Sequence, residues 1–552
     1  VRIKMSILRK DSFFSICFLL ISAATGMGVL TLPWAFRQTG LFLGIIVLLY
    51  WSILCSTTIY FLIMGGLHYK VSNITELMYY SILGEAKIEN TPIEAELSSV
   101  GSKKRVKIAS KVAVLCDVLI LFDCLFIIPC LLIFLSDFLI PINILVQQEL
   151  PKLSIRYPGL EKSSLAKLFY NLFFSISLFF TERYRCIIFF CVIVFLLCIP
   201  NNFSAVKLVS VLSVFSSVST AIIIIYFGLS SNQPPECQSG IMAANTNFCR
   251  EGKIELFNYN SIREFWKITS VSNIILFSHF CHLILIPTTK NIHHMSTRKI
   301  KGIVITFVSA IFIFNCSVGI SGYSIFRSNT LPNIISNFAY NDPLIVLVRV
   351  YLTLSLTVTV CMEIIPLIDS FSSTVMFLFK SIGSLIDKRK SEIEITSSIK
   401  NSEPNLTADE ETNSNQCTST LASTVNLTPY FGINEQKEKN NEQADSSMKK
   451  CRCNRSNFMF LSKDKLVKIL NLIIVLTFSG IMAIGFSSVA KLIQVTGGTL
   501  DGIFVFIIPA WVYYSTYFKH HNKIFGITLL SLYFVNFVVA SLSGIVGLFK
   551  VE

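Results

Sequence analysis

Charge is scarce in this sequence. Asp, Glu, Lys and Arg make up 14% of its 552 residues, against about 25% in an ordinary soluble domain. That shortage excludes a water-soluble fold of this length, which needs a charged surface. The chemical signatures of enzymes are missing as well. There is no Gly-x-Ser-x-Gly and no P-loop. The segment His279-Phe280-Cys281-His282 has no third and fourth ligand nearby to complete a zinc site. Asp501 follows Gly497-Gly498-Thr499-Leu500, which does not match the Gly-x-Gly-Asp of an intramembrane aspartyl protease. The expectation is therefore a non-enzyme without a metal or organic cofactor.

What is present is apolar. Hydrophobic residues make up 53% of the chain and the mean hydropathy is +0.63. Windows of about 18 or more apolar residues, the length that crosses a bilayer, recur at 12–36, 40–66, 110–140, 184–201, 206–229, 268–289, 301–323, 343–368, 465–489, 495–516 and 523–548. These are the eleven spans of an all-α multi-pass membrane protein. The first is too long for a signal h-region and is followed by others, so it reads as a span. The Phe-rich segment Leu165–Phe180 is broken by Lys167 and Asn171 and reads as an interfacial or extracytoplasmic helix.

The net charge of +14 is a topology signal. Basic residues gather before span 1 (Arg2, Lys4, Arg9, Lys10), between spans 2 and 3 (Lys103, Lys104, Arg105, Lys107) and between spans 6 and 7 (Lys290, Arg298, Lys299, Lys301). They recur after span 8 (Lys388, Arg389, Lys390) and between spans 10 and 11 (Lys519, Lys523). Lys and Arg mark the cytoplasmic side, so eleven spans place the N-terminus in the cytoplasm, and the basic surplus gives no reason to expect nucleic-acid binding. The polar loop 229–266 then lies outside, where a Cys237–Cys249 disulfide would persist. Residues 384–462 are rich in Asn, Ser, Thr, Glu and Lys and cannot bury a core. They divide the membrane domain into 1–383 and 463–552 as a disordered cytoplasmic insertion, a place for a cytoplasmic partner. Cys451-Arg452-Cys453, beside span 9, is a candidate for palmitoylation.

Span 1 carries an anomaly, Gly26-Met27-Gly28, inside an apolar helix. Two glycines one residue apart let the backbone unwind. Unwinding at membrane depth is tolerated where the backbone lines a cavity, although a small-residue packing notch for a neighbouring helix is the plainer reading. Ionisable groups inside spans are functional hypotheses by default. They are Asp117 and Asp123 in span 3, His279 and His282 in span 6 and Glu363 in span 8. The plainer readings are a pair between Arg349 and Asp123 or Glu363, headgroup placement for Glu363 and Asp369, and a helix-break hydrogen bond for His282.

Motifs in order resemble one family. They are Gly26, Gly28, Leu30, Leu32, Pro33 and Ala35 with Gly40; Cys281-His282 with Pro287; Gly322-Tyr323-Ser324-Ile325-Phe326; Arg349 through Thr357, Thr359 and Pro366; and Gly497-Gly498-Thr499 with Phe506, Pro509 and Ala510. The chain resembles the amino acid/auxin permease superfamily, nearest to its neutral and vacuolar amino-acid transporter branch. The resemblance implies inverted five-helix repeats of the bacterial leucine-transporter type, with helices 1 and 6 broken. It implies a substrate amino acid held by Thr25, Gly26, Met27, Gly28, Val29, Cys281 and His282, with a side-chain pocket among spans 3, 6, 8 and 10. Sodium-coupled relatives have an Asn where this chain has Ser22, with hydroxyls matching Thr357 and Thr359 on span 8. That departure turns the expectation from sodium toward protons, carried by Asp123 or Glu363. Facilitated transport or exchange, and an amino-acid sensor signalling through 384–462, are the remaining alternatives. Either a plasma membrane or an acidic vacuolar or lysosomal-type membrane fits the topology.

Overall fold

The computed structural model describes residues 13–84, 100–156, 164–199, 203–230, 249–258, 262–289, 296–400, 463–486, 489–518 and 521–550. Among these there is no strand, only helices and an isolated bridge between Glu251 and Arg327. The helices are α1 (Phe13–Ala24), α2 (Met27–Thr39), α3 (Leu41–Tyr69), α4 (Ile74–Leu83), α5 (Val100–Arg156), α6 (Ser164–Phe179), α7 (Arg183–Cys198) and α8 (Phe203–Leu229). They continue as α9 (Ile262–Phe277), α10 (His282–Thr289), α11 (Thr297–Phe326), α12 (Pro343–Lys400), α13 (Lys463–Gly485) and α14 (Val489–Gly498). A helical turn Leu500–Gly502 and a π-helical turn Ile503–Ile507 lead into α15 (Ile508–Thr516), and α16 (Lys523–Lys550) ends the bundle.

Eight of the described helices are long and apolar enough to cross a membrane, and nine if the bent pair α1–α2 counts as one. The two other expected spans coincide with α7, 16 residues long, and α8. The 165–180 segment is the separate 16-residue helix α6. Outward-facing apolar side chains are abundant, among them Ile53, Ile188, Ile222, Ile313 and Ile481. In water such a surface would aggregate; in hydrocarbon, apolar side chains face lipid while backbone groups are satisfied within each helix.

Helix α12 runs on to Lys400, into the stretch that composition marks as polar insertion. Residues 401–462, including Cys451 and Cys453, lie outside the described residues. The same is true of Cys237; Cys249 is disulfide-bonded. The loop beyond Cys249 is stitched to the ends of several helices. Leu41 N–H donates to Glu255 O (2.8 Å), Phe42 N–H to Leu256 O (2.9 Å) and Asn258 N–H to Thr39 O (3.0 Å). On its other side Ser328 N–H donates to Glu251 O (3.0 Å), and Asn329 Nδ2 to Cys249 O (2.9 Å). Gly40 makes the corner between α2 and α3 with φ of 87°, and a Cβ there would meet Asn258 N and Leu256 O at 2.8 Å. Only glycine combines that dihedral with that approach.

Candidate functional site

The break in the first span is where the sequence places it. α1 and α2 meet at a 52° bend. Thr25 closes α1, its N–H and Oγ1 both donating to Ile21 O at 2.8 Å. Gly26 is the N-cap of α2 and provides no side-chain cap. The first N–H groups of α2 therefore keep their donor capacity, and the helix dipole adds partial positive charge. Pro33, within α2, removes the N–H that would otherwise bond the Val29 carbonyl. One break thus exposes donors suited to a carboxylate and acceptors suited to an ammonium.

A small, partly open cavity of about 10 Å³ lies beside this break, lined by Thr25, Gly26, Val29, Leu30, Ser217, Thr220, Phe314, Val318 and Leu352. No charged side chain is among them. Ser217 Oγ donates to Thr25 O at 3.2 Å, and Thr220 Oγ1 donates to Ser216 O at 2.9 Å. The walls come from the break itself and from α2, α8, α11 and α12. Three residues expected at the substrate, Thr25, Gly26 and Val29, line the cavity. Gly28 instead packs the breaks of spans 1 and 6 together. A Cβ on it would meet Ser278 Cα at 2.9 Å and Phe277 Cδ1 at 3.1 Å. The Met27 side chain lies outside the described set.

Span 6 is interrupted between α9 and α10, at 278–281. Its polar groups turn toward neighbouring helices. Asn315 Nδ2 donates to Ser278 Oγ at 2.9 Å. His279 Nδ1 is bonded to Ile275 O (2.9 Å), and its Nε2 shares a hydrogen bond with Ser52 Oγ (2.8 Å). His282 Nε2 shares one with Thr58 Oγ1 (3.0 Å), and its buried Nδ1 has no partner. Cys281 is 4% exposed and faces Cys55. Cys281 and His282 thus sit against α3 and are absent from the cavity lining.

The chain matches the family model for transmembrane amino acid transporter proteins over residues 9–551. It belongs to the transmembrane amino acid transporter family. Membership makes it an integral, multi-pass membrane transporter with a small-molecule amino-acid substrate, not an enzyme. No curated protein matches it.

Within this transporter the expected coupling residues are placed as follows. Ser22 is buried on α1 at 2% exposure. Thr357 Oγ1 donates to Thr353 O (2.7 Å) and Thr359 Oγ1 to Ser355 O (3.2 Å). Those two hydroxyls spend their protons inside α12 and keep only lone pairs for a cation. Arg349 is 2% exposed and donates to the carbonyls of Ile335 (3.2 Å), Phe338 (3.2 Å) and Tyr340 (3.4 Å), and its acidic neighbour is Asp342. It therefore pairs with neither Asp123 nor Glu363. Asp117 accepts from Thr75 Oγ1 at 2.6 Å and Ser370 Oγ at 3.4 Å, a satisfied structural carboxylate. Asp123 is 0% exposed and neither of its oxygens receives a hydrogen bond. Its acidic neighbours are Asp501 and Glu363. Glu363 Oε2 is also without a partner, and so are both oxygens of the fully buried Asp501.

Sequence reasoning missed the α8 wall and Asp501. The α8 wall had a signal, since Ser213, Ser216, Ser217, Ser219 and Thr220 form an unusually dense hydroxyl run for an apolar span. Asp501 also had one, as a carboxylate inside a span.

Proposed function

We propose that this chain is a secondary active transporter of neutral amino acids, coupled to protons and working by alternating access around the broken first span. The observation that carries the reading is the uncapped N-terminus of α2 opening on a cavity without charged side chains. The substrate carboxylate meets the N–H groups after Gly26, an arrangement that helix N-termini favour for anions. The ammonium meets carbonyls released at Thr25 and Val29. The side chain lies against Leu30, Phe314, Val318 and Leu352. A cationic side chain would enter this space without a counter-charge and pay its desolvation, so neutral substrates are favoured.

On this reading spans 1–5 and 6–10 are the two halves of an inverted repeat, and the interruptions of spans 1 and 6 are its paired broken helices. Their contact through Gly28 and Ser278 joins the two halves at the site. Proton coupling is favoured over sodium because Ser22 supplies no amide oxygen, while unpaired carboxyls lie elsewhere in the bundle. A membrane with one acidic side supplies the driving force, and the N-terminus faces the cytoplasm by the distribution of basic residues.

The test is uptake of labelled amino acids into proteoliposomes holding the purified chain, under an inward proton gradient, a sodium gradient or none. Concentrative uptake of a leucine-sized neutral amino acid with protons alone is the expected result. Uptake only with sodium would transfer the coupling role to Ser22, Thr357 and Thr359. Binding without any uptake would favour a sensor.

A further inference from the structure

Most buried polar groups in the described bundle have partners, which makes one cluster stand apart. Asp123 on α5 and Asp501, in the turn between α14 and the π-helical segment, lie within hydrogen-bonding range of each other. Both are 0% exposed. Among the described residues, no N–H or O–H from another group reaches their four carboxyl oxygens. Glu363 of α12 approaches the pair and its Oε2 is likewise buried without a partner. The remaining titratable neighbours are the thiols of Cys124 and Cys130 on α5. No basic residue among the described ones acts on the cluster, and Arg349 is held by backbone carbonyls.

Two ionised carboxylates in contact at membrane depth have nothing to offset their repulsion or their desolvation. A single proton changes the sign of the interaction. The contact becomes an O–H···O⁻ hydrogen bond, among the stronger kinds available. We propose that Asp123 and Asp501 hold one proton between them across α5 and the broken tenth span, and that this shared proton, with Glu363 beside it, is the charge whose binding and release drives transport. The coupling half of the proposal rests on the proton-coupled reading above; the sharing of the proton does not.

The backbone suits the role. Only Gly502 separates Asp501 from the π-helical turn Ile503–Ile507, and π-turns inside α-helices recur at functional sites. A shift of this segment against α5 would part the two carboxyls. Parting removes the hydrogen bond that holds the proton, which then leaves toward whichever side is open. The pair titrates as a unit, so neither residue alone owns the proton.

Two measurements on the full chain in proteoliposomes test this. The first is infrared spectroscopy of the protonated-carboxyl stretch at neutral pH, for wild type, Asp123→Asn, Asp501→Asn and the double variant. The proposal expects a band in wild type that either single substitution removes or shifts. Absence of that band in wild type, or its persistence unchanged in both single variants, overturns the shared proton. The second is proton-driven accumulation beside counterflow exchange, which needs a folded carrier but no driving ion. Both single variants should lose accumulation while counterflow remains measurable, and the double variant should be no worse than either. Loss in Asp123→Asn alone, with Asp501→Asn accumulating normally, overturns the pair and leaves Asp123 acting by itself. A wild type that never accumulates substrate under a proton gradient, yet carries the shared band, overturns the coupling role and the proton-coupled reading together, with the sharing intact.

Discussion

Two buried carboxylates on the same helix have opposite surroundings. Asp117 receives hydroxyl hydrogen bonds from Thr75 and Ser370. Asp123, six residues further along α5, receives none and faces Asp501 and Glu363. Six residues is neither one turn nor two, so the side chains leave the helix on different faces. One face meets α4 and its hydroxyls; the other meets the broken tenth span. Burial depth therefore does not distinguish these two acids. What differs is whether the neighbours supply donors.

The comparison can be broken or sharpened experimentally. The largest effect belongs to Asp123→Asn, which should abolish proton-driven accumulation while counterflow persists; unchanged accumulation would remove Asp123 as the carrier. Asp117→Asn is the contrasting case. It keeps the shape, disturbs hydrogen bonds worth roughly 0.5–1.5 kcal/mol each, and should lower the thermal midpoint while accumulation stays proton-dependent. If it too uncouples transport, the contrast between the two acids fails.

Gly28→Val probes the junction of the two broken spans. Its Cβ would press on Ser278 Cα at 2.9 Å, and overpacking of that kind costs about 1–3 kcal/mol. The expected outcome is strongly reduced transport and a lower thermal midpoint in detergent, and wild-type behaviour in both would refute the close packing. A smaller effect is expected at Ser217→Ala. It removes the 3.2 Å bond to Thr25 O, so KM should rise by roughly the two- to tenfold that about 0.5–1.5 kcal/mol carries, with the coupling ion unchanged. The smallest belongs to removal of 401–462, which leaves α12 whole to Lys400. Transport rates should be close to wild type. A collapse of transport would bring the insertion into the mechanism.

Several elements were legible in the sequence for local reasons. The break at Gly26-Met27-Gly28 follows from backbone entropy, and Pro33 announces the loss of an N–H wherever the chain folds. The interruption near Cys281-His282 was legible from motif resemblance. Less accessible was the destination of each polar side chain. Cys281 and His282, expected near the substrate, lie against α3 through Thr58 and Cys55. Of spans 3, 6, 8 and 10, expected around the pocket, span 8 lines the cavity through Leu352, and the other walls come from spans 1, 5 and 7. Helical register fixes the angle at which a side chain leaves its own axis, but not which helix stands opposite.

Asp501 makes the same point more sharply. Read along the chain, it is one acid after a Gly-Gly pair that fits no protease motif. In the bundle it lies against Asp123, some 380 residues away in sequence by the numbering, an encounter no local pattern encodes. The sequence by itself determined the solvent, the helical class and the first break, because apolar run length, charge scarcity and glycine or proline chemistry act within a few residues. Only the tertiary structure decided which walls enclose the cavity and which carboxyls meet, because those depend on how helices distant in sequence pack and rotate against one another.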